Sequence, residues 1–181
     1  MASILYNGSA GVTVEAPVED EDPPQFTPDG WYLPKLNFVA ADLASPGVRK
    51  FFGAVPDVSA LLADAVTGVC KRLYGAPGKQ PRTQTRITLH VRPMPGVAYT
   101  TGSAAHKEIH LSSTYVDGIA PARLAAEIAG VVRHEMVHAW QHDGQGAAPG
   151  GLVEGIADWV RLRDGLGPPH WRRGGEAWAD G

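Results

Sequence analysis

Residues 124–140 read LAAEIAGVVRHEMVHAW, and the five residues His134-Glu135-Met136-Val137-His138 near their end decide how the rest of the chain is read. Leu124, Ile128, Val131, Val132 and Ala139 recur with helical spacing. Pro121 suits the opening of a helix, and Gly144 lies where a glycine cap is expected. On such a helix His134 and His138 share one face, about a turn apart. Histidines on a helix are often plain surface groups. Here they abut Val131 and Val132, where unpaired polar groups would be costly.

That spacing lets both imidazoles point at one zinc ion at about 2 Å. Glu135 stands beside the first of them, where its carboxylate can take a proton from a zinc-activated water attacking a peptide carbonyl. The same group then returns the proton to the leaving amine. Catalytic zinc usually has three protein ligands, so one more is needed. Glu154, on a helix expected over Leu152 to Arg163, is the preferred third ligand. Asp158, four residues on, would accept the other ring N–H of a ligating histidine. The reverse assignment, with Asp158 as ligand and Glu154 behind, stays open. So does His142, one turn beyond His138, although a surface histidine is the plainer reading. Zinc suits two imidazoles and a carboxylate, but affinity order alone does not select it over other divalent metals.

Working outward, Arg86 to Arg92 alternates, with Ile87, Leu89 and Val91 on one face, and is predicted to be a half-buried strand. Lys35 to Ala40, Val97 to Thr101 and Lys107 to Ser112 read as further extended pieces, the later three forming a meander before the histidine helix. A short helical turn is expected after Pro46. Asp57 is the expected N-cap of a longer helix through Leu73, ended by Gly75 and Pro77. The order predicts an α+β domain, with helices packed against a mixed sheet. The acidic, proline-rich segment before Trp31, with Glu19 to Asp22 and Pro23-Pro24, reads as a disordered leader covering residues 1–30, so the folded domain is expected over residues 31–181.

The chain has 181 residues, 44% hydrophobic content and a formal charge of −3. That is enough for one domain with its own core. It gives no electrostatic reason to expect nucleic acid, and no apolar run is long enough to span a bilayer. The single cysteine, Cys70, lies in an apolar helical stretch and reads as a buried, inert thiol. Met1 to Val14 lacks the basic start and apolar core of a signal peptide, so secretion is not expected of the chain as written. Arg161, Arg163, Arg172 and Arg173 read as a solvated basic edge. Tyr99, Tyr115 and His170 are candidate donors to an oxyanion, with rim packing the plainer role for the tyrosines. Trp140, Trp159 and Trp171 read as core or cleft wall, and His90, His106 and His110 fall on or between strands.

The run HEMVHAWQHDG (134–144), followed by PGGLVEGIADWVRLRDGLGPPHW (149–171), resembles the plant basic secretory protein family and its bacterial and fungal relatives. GVAYTTGSAAHKEIHLSSTYV (96–116) resembles that family's strand region. The likeness runs from about Leu36 to the C-terminus. The family is regarded as one of zinc metallopeptidases, so the resemblance implies a zincin-like fold, a peptide or protein substrate and an edge strand that pairs with it. Glu154-Gly155-Ile156-Ala157 is also similar to the glutamate segment of thermolysin-like enzymes, which implies Glu154 as ligand and Asp158 behind a ligand histidine. Members usually continue into another helix beyond this point and are often secreted, so a C-terminally shortened chain is expected. A catalytically silent, zinc-stabilised domain in binding or defence is the rival reading.

Overall fold

The computed structural model describes residues 23–169 and 171. The first 22 residues of the leader expected over residues 1–30 lie outside the described residues. Residues just before Trp31 already join the fold, because strand β1 (Gln25–Phe26) pairs antiparallel with β2 (Tyr32–Leu33). This pairing lies partly upstream of residue 31.

The domain is α+β, as its alternating patterns predict. Four strands, β3 (Lys35–Ala40), β4 (Arg86–Arg92), β5 (Ala98–Gly102) and β6 (His106–Ser112), form one mixed sheet in the order β3-β4-β6-β5. β3 pairs with β4, and β4 with β6, in parallel, while β5 is antiparallel to β6. The expected meander is thus corrected. The chain passes from β4 out to the edge and returns as β6 between them. Burial explains the order. β6 carries Ile109 and Leu111, both almost wholly buried, and suits the interior. β5 offers Ala98, Thr100 and Gly102 on that face, a small and polar set that suits an edge.

The connection from β3 to β4 is helical. α1 (Pro46–Ala54) is longer than the expected turn, and α2 (Val58–Tyr74) follows. Asp57 caps α2 as its sequence predicts, accepting from the Ala60 N–H at 2.8 Å, and Gly75 ends it at φ 76°. After α3 (Ser113–Gly118) and a turn at Pro121, α4 (Leu124–Trp140) carries the histidine motif, and α5 (Gly150–Arg163) follows. Ile87, Leu89 and Val91 of β4 meet Val66 and Val69 of α2 and Ile128, Val132 and Met136 of α4 in one core. No single helix among the described residues is long and apolar enough to cross a membrane.

α4 ends earlier than Gly144 suggests. Gln141 turns extended (φ −69°, ψ 147°), with its N–H on the Val137 carbonyl at 2.7 Å. Gly144 is left-handed (φ 64°) but lies in the loop beyond.

Candidate metal centre

α4 is buried on the side that meets the sheet and α2, so its register is set by Val132, Met136 and Ala139. That register leaves His134 and His138 together at the mouth of a cleft of about 680 Å³. The cleft lies between edge strand β5 and the helix pair α4 and α5, and Val97 to Gly102 form one wall. Glu154 and Asp158, a turn apart on α5, face the two histidines from the other.

Three atoms converge. His134 Nε2 lies 3.1 Å from Glu154 Oε2 and 3.2 Å from His138 Nε2, and the third side of the triangle, His138 Nε2 to Glu154 Oε2, is 3.6 Å. A tetrahedral ion held at about 2.0–2.1 Å requires its ligand atoms about 3.3 Å apart. The three separations bracket that spacing. Asp158 Oδ1 lies 2.9 Å from His134 Nδ1, the nitrogen that faces away from the triangle. Donation from Nδ1–H to this carboxylate leaves the Nε2 lone pair free. Burial, then the neighbouring charge of His134, holds His138 below the ordinary imidazole range, which favours the neutral ring a metal needs.

Glu135 points from the buried flank of α4 toward the edge strand. The Thr100 hydroxyl lies 2.8 Å from its Oε2 and 2.9 Å from its backbone carbonyl. Burial pushes its carboxyl above the usual range, and the Glu154 charge adds to this, against the pull of Thr100 and His134. Such a group takes up a proton more readily than a surface glutamate.

A helix pair holds a site only as firmly as its packing. Arg161 of α5 is buried, donating to Glu127 Oε1 of α4 at 2.9 Å and to the Leu166 carbonyl at 3.0 Å. This corrects the reading of Arg161 as part of a solvated edge, while Arg163 is exposed and residues 172 and 173 lie outside the described residues. Gly130 makes the approach possible. A Cβ there would come within 2.6 Å of Arg161 Nε and 2.7 Å of the Leu166 oxygen. Arg133, beside His134 in sequence, is likewise buried against Asp64 and Asp164.

Comparison with known families covers nearly the whole described chain. A profile of the family described as Peptidase of plants and bacteria matches residues 33–181. The chain belongs to this family. No curated protein and no solved structure matches. The match covers all four strands of the main sheet and the whole cleft, and it agrees with the resemblance to the basic secretory protein family seen in the sequence. A peptidase-type domain is therefore the coarse description of this family member.

The remaining candidates do not join the triangle. The Tyr99 ring stacks on His110, with centroids 4.6 Å apart, and its hydroxyl accepts from Arg92 at 2.7 Å, so the ring lies on the sheet face away from α4. Tyr115 donates to Glu127 Oε1 at 2.9 Å in a separate cavity. His170 lies outside the described residues. His142 bonds the Gly144 N–H in the loop beyond α4. Trp140 is core, Trp159 is exposed, and Trp171 walls the cleft beneath Arg161. Cys70 is buried, and burial pushes its thiol up to about 12, so it is inert as expected.

His90, Glu108 and His110 form a second group on the outer sheet face. Its chemistry suits hydrogen bonding better than a cation. Arg92 Nε donates to His110 Nδ1 at 3.2 Å, which leaves the proton on Nε2, directed at Glu108 3.1 Å away. The two rings are stacked 11° from parallel, so their lone pairs do not converge, and Arg92 adds a positive charge. Two residues of the cleft carried no sequence signal as site members, Thr100 and Gln141. The position of Gln141, three residues after a ligand candidate at a helix end, is one that could have drawn attention to it.

Proposed function

We propose that this family member is a zinc-dependent peptidase, with His134, His138 and Glu154 as ligands and Glu135 as general base. The observation that carries this reading is the triangle of two Nε2 atoms and one carboxylate oxygen at zinc's own spacing. Zinc held there would polarise a peptide carbonyl and lower the pKa of a water beside it. The protein supplies the rest. The outer edge of β5, unpaired among the described residues, can pair with an extended peptide, holding it by backbone hydrogen bonds with little demand on sequence. Glu135 takes the proton from the attacking water and gives it to the leaving amine. Thr100 keeps the carboxylate aimed into the cleft. Asp158 fixes the tautomer of His134.

The test is a cleavage assay on unstructured protein and peptide pools, with Glu135→Gln beside the wild type. The variant should keep its zinc and lose activity by at least about 100-fold, the scale of general acid–base catalysis. Retained cleavage in a zinc-loaded Glu135→Gln protein would remove the base from its role. Zinc binding with a lower melting temperature on chelation, and no cleavage by the wild type of any substrate, would favour the silent, zinc-stabilised domain.

A further inference from the structure

His138 has a partner on its second nitrogen that the sequence does not advertise. Gln141 closes α4, and its extended backbone turns the side chain back by three residues onto the His138 ring. The amide Nε2 lies 2.9 Å from His138 Nδ1. Its other end, Oε1, is buried without a hydrogen-bond partner among the described residues. Buried carbonyl oxygens are seldom left unpaired, so this atom calls for an explanation.

The ring chemistry provides one. With the amide N–H donating, Nδ1 is an acceptor and the ring proton sits on Nε2, where it blocks ligation. Zinc on Nε2 requires the opposite tautomer, with the proton on Nδ1. Turning the amide over brings Oε1 to Nδ1–H. The two ends of an amide are nearly the same size, so the turn needs no new space. Nor does it break a hydrogen bond of Oε1, since that atom makes none.

We infer that Gln141 is a positioning residue for the second zinc ligand, its amide oxygen accepting the Nδ1–H of His138 when the metal is bound. It does for His138 what Asp158 does for His134, with a neutral group able to match either tautomer. The inference rests on the zinc reading and adds to it the residue that sets the second imidazole.

The test compares zinc affinity, measured by competition with a chromophoric chelator, in wild type, Gln141→Met and Gln141→Glu. Methionine keeps the length and removes the acceptor; glutamate can only accept. Gln141→Met should bind zinc about 10-fold or more weaker, the usual cost of losing such a partner. Gln141→Glu should bind at least as tightly as wild type. Melting of the chelator-treated proteins separates any metal-free effect of losing the amide bond, and the loss of zinc affinity should exceed it. Equal zinc affinity in wild type and Gln141→Met would overturn the inference and leave the zinc reading intact. Glutamate as weak as methionine would overturn it too. A wild type that binds no zinc removes the parent reading and this one with it. Should Gln141→Met fail to fold, nitrogen-detected NMR of the zinc-loaded wild type decides. A slowly exchanging Nδ1–H on His138 supports the inference, and a proton on its Nε2 contradicts it.

Discussion

Asp158 and Glu154 divide one histidine between them. Glu154 sits on the Nε2 side of His134 with His138, while Asp158 sits on Nδ1. The sequence brought these four residues together because two i, i+4 pairs on successive helices leave few other ways to meet. It left the order of the two carboxylates open, since either reaches a histidine from the same helix face. Truncating Asp158 to alanine should therefore weaken zinc about 10- to 100-fold without abolishing binding, read by chelator competition. Truncating Glu154 should cost more, as it removes a proposed ligand. Equal effects of the two truncations would blur the distinction drawn here. Thr100 was invisible for a different reason. A threonine on a strand has no spacing that ties it to a glutamate 35 positions away, and only the edge placement of β5 brings them to 2.8 Å.

At the level of elements, the site depends on the angle between α4 and α5. The buried Arg161–Glu127 pair fixes it, and Tyr115 and Arg123 complete the partners of the carboxylate. Burial alone would raise the Glu127 carboxyl, but the bonds from Arg161 and Tyr115 outweigh it and hold the group below its ordinary value of 4.5. A carboxylate with a lowered pKa in the fold stabilises that fold above its unfolded pKa. The contribution is lost as the pH falls through the folded value. The melting temperature of the wild type should thus fall steeply below about pH 4.5, the unfolded glutamate range. Glu127→Gln should be less stable at neutral pH by about 3 kcal/mol, because Arg161 is left buried without its charge partner, and its acid slope should be shallower. Parallel curves for the two proteins would show that the pair contributes nothing specific. The sequence hid this contact. Arg161 sits among other arginines and reads as solvated, and nothing in the spacing of Gly130 announces that it admits a guanidinium.

Across the whole molecule, the α+β class, the two long helices and the strands were legible because their apolar periods are regular. Asp57 and Gly75 marked the ends of α2 by side-chain and backbone chemistry that acts locally. Strand order was not legible, because it depends on which strand is buried on the sheet's inner face. The contrast between Ile109 and Leu111 in β6 and Thr100 and Gly102 in β5 was the available signal. That order puts edge strand β5 beside the histidine helix, where it walls the cleft. In the proposed function this cleft holds one zinc ion on His134, His138 and Glu154. Elemental analysis of the purified chain, wild type beside His138→Ala, tests it most directly. About one zinc per chain in the wild type, lost in a variant that still folds, is the expected result. A folded wild type that holds no zinc after incubation with the metal, or a His138→Ala variant that keeps it, would contradict the account.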